Sequence, residues 1–127
     1  MYLLLIVLLL IGCNKQLAVS PENLHGKWKL KISTSHDGSS PLYSSNQEEI
    51  TIAFDRNGKF SETVIDQQYS GRFTIRESNL RLMYKPADSV SLFEAEVTKN
   101  RLRLIPLTPE GGLACDEGCS SVYHRTD

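Results

Sequence analysis

The chain has 127 residues, 40% of them hydrophobic and 23% charged, and its 14 Lys and Arg against 15 Asp and Glu leave a formal charge of −1. This length accommodates one domain with a modest core and excludes two. The balanced charge, with no basic run, argues against nucleic acid as a partner.

Eleven of the first twelve residues are apolar. Their uninterrupted part, residues 3–11, is too short to cross about 30 Å of hydrocarbon as a helix, which takes roughly 20 residues. It suits the apolar core of a secretory signal over residues 1–12, which is to be left out of the fold. The stretch ends in Leu10-Ile11-Gly12-Cys13, which resembles the lipobox of bacterial lipoproteins. That resemblance implies a signal peptide cut before Cys13, a diacylglyceryl group on its thiol and a palmitate-type acyl chain on the new amino terminus. Two or three such chains, at about 0.8 kcal/mol per buried methylene, anchor a protein to a membrane essentially for good. Asn14 follows the cysteine where inner-membrane retention uses Asp, so the expected address is the outer membrane. Residues 13–23 then form the lipidated cysteine and a short polar tether, and residues 24–127 the domain.

Ser20-Pro21-Glu22-Asn23-Leu24 carries the signature of one helical turn, with Ser20 as N-cap and Pro21 in the first helical position. From Gly26 onward the sequence alternates with period two. Trp28, Leu30 and Ile32 begin the series, followed by Ile50, Ile52 and Phe54, then Phe60 and Val64. Tyr69, Phe73 and Ile75 come next, then Leu80, Leu82 and Tyr84, then Phe93, Ala95 and Val97, then Leu102 and Leu104. Residues 119–125 supply an eighth strand.

The turns predict registers that these faces can test. Lys99-Asn100 as a two-residue loop pairs Val97 with Leu102 and Ala95 with Leu104, and sets Glu96 opposite Arg103 outside. Arg56-Asn57-Gly58 pairs Asp55 with Lys59 and Phe54 with Phe60, with Gly58 left-handed. Asp66-Gln67 pairs Val64 with Tyr69, and hence Phe60 with Phe73. Residues 76–79 bring Ile75 opposite Leu80. Consecutive hairpins of amphipathic strands bury their apolar faces by closing, which also removes free edges. The predicted fold is all-β: an eight-stranded antiparallel up-and-down β-barrel entered by a short helical turn. The longer segments 33–47 and 106–118 are rims or lids.

Leu24-His25-Gly26-Lys27-Trp28-Lys29-Leu30, a helical turn running into Gly-x-Trp on the first strand, resembles the opening of lipocalins and of small bacterial lipocalin-like lipoproteins. Cys115-Asp116-Glu117-Gly118-Cys119 followed by Tyr123-His124-Arg125 resembles their end. The resemblance implies that Trp28 sits at the closed end of the barrel with Arg125 packed across its ring, an interaction worth about 0.5–2 kcal/mol. It does not extend to the Arg-x-Tyr carboxylate site of the fatty-acid-binding relatives, because Tyr123-His124-Arg125 runs in the reverse order.

Cys115 and Cys119 remain after lipidation, and in an exported protein the simplest role for such a pair is a disulfide. The alternative is a metal clip with Asp116, Glu117 or His124, although structural zinc wants four ligands and tighter cysteine spacing. His25, His36 and His124 are scattered, with no nucleophile at triad spacing, so neither an enzyme nor a cofactor is expected. Glu62 is the local anomaly. The hairpin register puts it on the inner face opposite Ile52 and beside Gly71, whose missing side chain would leave room for water or a head group. Arg72 or Arg81 would then be its partner. A bulge would instead turn Ser61, Thr63 and Ile65 inward and Glu62 outward.

An eight-stranded barrel either fills with side chains or holds one small molecule. The large inward residues favour a mostly filled interior with a shallow mouth near residues 33–47, where Glu62, Tyr43, Tyr69 and Tyr84 are the candidate ligand contacts. The expected function is that of a membrane-anchored, non-enzymatic barrel taking a small hydrophobic or amphipathic ligand. The competing expectation is a solid barrel that binds a protein partner in the cell envelope.

Overall fold

Strand after strand pairs with its predecessor in this computed structural model, which describes residues 15–35, 42–43, 49–85, 89–115 and 119–126. Helical turn α1 (Pro21–Leu24) leads into β1 (Gly26–Ser35), followed by β2 (Leu42–Tyr43), β3 (Ile50–Phe54), β4 (Lys59–Val64) and β5 (Gln67–Arg76). The series continues through β6 (Asn79–Lys85), β7 (Val90–Val97), β8 (Arg101–Leu107) and β9 (Ser120–Arg125). The signal segment, Cys13, His36, Asp116 and Glu117 lie outside the described residues.

From β3 to β9 each strand is antiparallel to the next, and β1 pairs with β3 on one edge and β9 on the other. The sheet therefore closes on itself as an eight-stranded barrel. The two-residue β2 continues the β3 edge of β1, pairing Leu42 with Ser35 and Tyr43 with Thr34. It adds a ninth strand without adding a stave.

Local chemistry sets the entry. Ser20 Oγ accepts a bond from Asn23 N at 3.2 Å, Pro21 begins α1, and His25 N donates to Pro21 O at 2.9 Å. One turn later the chain enters β1, and the Trp28 Nε1–H donates back to Leu24 O at 2.8 Å. Leu24 and Trp28 are fully buried. With Leu17 and Val19 packed beside them, they plug one end of the barrel.

Three of the four hairpin registers read from the sequence are present. Val97 faces Leu102, Ala95 faces Leu104, and Glu96 pairs with Arg103 at 3.4 Å. Phe54 faces Phe60, with Gly58 left-handed at φ +85°. In the same turn Asp55 Oδ1 accepts from Asn57 N and Lys59 N, each at 2.8 Å, and the Lys59 bond foremost holds its carboxyl below the usual range. Ile75 faces Leu80.

The fourth register is corrected. The β4–β5 turn is Ile65-Asp66, not Asp66-Gln67, so Val64 pairs with Gln67, Glu62 with Tyr69 and Phe60 with Gly71. The slip is by two residues, which keeps every side chain on its expected face. Its cost is Ile65 at φ +58°, a left-handed conformation that is rare for a β-branched residue. A second correction concerns Ile32. A bulge between Leu30 and Ile32 turns Ile32 outward, 43% exposed, and places Ser33 inside with its Oγ 3.5 Å from Ser121 Oγ.

Candidate functional site

The interior divides by polarity. Towards the α1 end it is filled by Trp28, Phe54, Phe60, Phe73, Leu80 and Leu102, all buried. Arg125, paired with Trp28 across the closing seam, holds its guanidinium carbon 4.1 Å from the indole ring centre. It also donates to Lys99 O at 2.8 Å, Asn23 O at 2.9 Å and His25 O. Trp28 and Arg125 thus meet as expected and tie together the first strand, the last strand, the entry turn and the β7–β8 loop.

Towards the other end the inward positions become polar: Ser33, Glu62, Gln67, Tyr69, Tyr84, Ser91 and Ser121. Glu62 is half-buried on the inner face, opposite buried Ile52 on β3 and Tyr69 on β5. The flipped alternative is therefore not adopted. Its partner is neither of the expected arginines, since Arg72 and Arg81 project from the outer face. Tyr84 OH donates to Glu62 Oε1 at 3.4 Å instead.

Gly71 explains how Tyr84 gets there. It stands between Phe60 on β4 and Tyr84 on β6 in one cross-strand row. A Cβ at Gly71 would collide with the Met83 carbonyl and lie 3.0 Å from the Phe60 ring. The gap is not left for water or a ligand head group, as the sequence suggested, but is spanned by the two rings. Phe60 and Tyr84 meet edge to face with centroids 5.1 Å apart. Tyr69, at the rim and 40% exposed, meets Tyr84 edge to face at 6.4 Å and donates its hydroxyl to Gln67.

Burial is the main reason the Glu62 carboxyl is raised above the ordinary glutamate range, and the Tyr84 hydrogen bond offsets part of it. Burial, then the Glu62 charge, pushes the Tyr84 phenol up to about 12. Tyr123 is pushed up by the same two causes. It belongs to the cluster, although sequence reasoning passed over it. The signal was available: with Arg125 facing Trp28, a period of two puts Tyr123 inside. Tyr43 is paired through its backbone in β2, and its side chain lies outside the described residues.

Cys115 and Cys119 stand at disulfide distance, with Cα atoms 5.6 Å apart, just before β9. Among the described residues no group of three or more His, Cys, Asp or Glu could hold a metal ion. A groove of about 730 Å³ lies on the outside of the barrel, between Thr74, Arg76, Arg81, Leu92, Leu107 and Pro109.

Comparison with known proteins agrees with this architecture. A family model described as a lipocalin-like domain matches residues 24–104, and the chain belongs to that family. The crystal structure of a lipocalin-like protein from Bacteroides uniformis superposes with a TM-score of 0.59 at 16% identity, covering 82% of this chain and 99% of that one. At that identity the likeness speaks to the fold alone. No curated protein matches the sequence.

Proposed function

We propose that this chain is an exported, lipid-anchored binding protein whose barrel takes a small amphipathic molecule at its polar end and performs no chemistry on it. The observation that carries the reading is the split interior. A solid apolar plug fills one half, while a carboxylate, tyrosines and serines face inward at the other, with Tyr69 open to solvent. Concave sites of this kind combine apolar walls with a few placed polar groups. Cys13 would carry the lipid and hold the barrel at the envelope, most simply the outer membrane.

Native mass spectrometry of protein extracted from membranes tests this. The expected result is a reproducible bound amphiphile that is lost on replacing Tyr69 and Tyr84 by alanine; a barrel that is empty in every preparation overturns the reading. The external groove supports a second reading, in which Arg76, Arg81, Leu92 and Leu107 dock a protein partner. Arg81→Glu would abolish in-cell cross-links to that partner while leaving the mass-spectrometric result untouched.

A further inference from the structure

The inward positions of the described barrel are nearly devoid of positive charge. Arg125 occupies one, at the plugged end, where it is committed to Trp28. Between mid-barrel and mouth, the inward register positions on β1 and β3 through β9 carry no Lys, Arg or His among the described residues. Lys31 falls in the β1 bulge and takes no register place. Among the described residues no cation stands on the inner face beside Glu62: its hydrogen-bond partner is the neutral phenol of Tyr84. Arg72, Arg76 and Arg81, which would neutralise it, all project outward on β5 and β6.

What surrounds that carboxylate is aromatic. Tyr69 is its direct cross-strand neighbour, and Tyr84 reaches it over Gly71. Tyr84 lies at 87° to Phe60 and 85° to Tyr69. Edge-to-face contacts of this kind make a corner and not a flat stack, in which each contact occupies one face of the pair and leaves the others free of that partner. An aromatic face is electron-rich and attracts a cation within about 6 Å of its centre. Next to the corner, Ile50 and Val64 pair on the inner face, and Ile65 stands 54% exposed at the tip of the β4–β5 turn. This is an apolar ledge beside a carboxylate flanked by aromatic rings.

We infer that the mouth of the barrel selects amphipathic cations. An ammonium head group sits between the Glu62 carboxylate and the rings of Tyr69 and Tyr84, and a short apolar tail lies along Ile50, Val64 and Ile65. This rests on the reading of the mouth as the binding site and names its ligand class. An anionic amphiphile is disfavoured twice, by the carboxylate and by the ring faces. A cation also relieves the desolvated carboxylate that burial holds above its normal range. The groups facing Glu62 are Ile52 of β3, Tyr69 of β5, Tyr84 of β6 and Tyr123 of β9. Of these groups and Glu62 itself, only Glu62 changes charge between acidic and neutral pH, so binding weakens as pH falls through its raised pKa.

The test uses the full chain in nanodiscs of zwitterionic lipid, titrated with hexyltrimethylammonium, uncharged hexanol or hexyl sulfate. Binding is followed through tyrosine ring resonances, with empty discs as the blank. At neutral pH the cation is expected to bind at least about tenfold more tightly than hexanol, with hexyl sulfate weakest. Glu62→Gln should remove about tenfold from the cation and nothing from hexanol, and acidification of the unmodified protein should do the same. Tyr69→Ala, at an exposed rim position, should cost the cation several-fold whether or not the Glu62 variant folds. Equal binding of cation and hexanol at Tyr69 and Tyr84 overturns the charge selectivity and leaves the mouth as the site. Failure of every probe to move those resonances overturns both.

Discussion

Among the described residues Arg125 and Glu62 are the two charges at inward register positions, and their surroundings give them opposite fates. Arg125 lies over the Trp28 ring and donates to three backbone carbonyls, so its charge is satisfied where it sits. Arg125→Ala should lower the unfolding free energy by roughly 2 kcal/mol, and Arg125→Lys should recover only part, because an ammonium cannot span the ring and the three carbonyls at once. Denaturant titration followed by Trp28 fluorescence measures both. Glu62 has the reverse problem. Its raised pKa means that the folded state holds a proton more tightly than the unfolded chain does. Its contribution to stability is complete below the unfolded pKa and is lost as pH rises through the folded one. Glu62→Gln should therefore raise the melting temperature by roughly 2–5 °C at neutral pH and leave it unchanged in acid, as read by calorimetry across that range.

At the scale of hairpins, the readable turns were those whose residues match their backbone. Gly58 accepts a positive φ, and the alternating faces on either side of Lys99-Asn100 admit one pairing. The β4–β5 turn was not readable because its first residue is the wrong type: isoleucine in the left-handed region costs roughly 1–2 kcal/mol, so the sequence points to Asp66-Gln67 instead. Ile65→Asn should recover about 1 kcal/mol in equilibrium unfolding, since asparagine tolerates that conformation. The Tyr84–Glu62 contact was half legible. The β5–β6 register read from the sequence already sets Tyr84 across Gly71. The slipped β4–β5 register puts Phe60, not Glu62, in that row, so Tyr84 reaches Glu62 on the diagonal. Gly71→Ala should destabilise by more than about 1 kcal/mol and erase the Phe60–Tyr84 edge-to-face contact, seen as a collapse of the near-UV tyrosine dichroism. The Ile32 reversal had no sequence signal at all, because nothing in Leu30-Lys31-Ile32 marks a bulge.

For the whole molecule, the periodicity was enough for the architecture. Alternation over eight segments, each with one apolar face, leaves closure as the way to bury them all, and the β1–β9 seam closes the ring. Polarity along the axis was harder to see from the sequence, because it arises from how staggered strands line up their serines and tyrosines at one end. The proposed anchor makes its own prediction. Cys13→Ser should move the protein from the membrane pellet to the soluble fraction on cell fractionation, with the barrel's circular dichroism unchanged.

The bridge between Leu17 and Val97 now acquires a directional meaning. Leu17 N donates to Val97 O at 2.7 Å, fastening the incoming chain beside the stoppered base and away from the aromatic opening. Under the proposed lipidation only a few residues separate that fastening from the acyl chains, so the barrel would stand on its base, aperture turned from the bilayer. Cargo would then arrive from the aqueous side, and the membrane beneath would hold the carrier without feeding it.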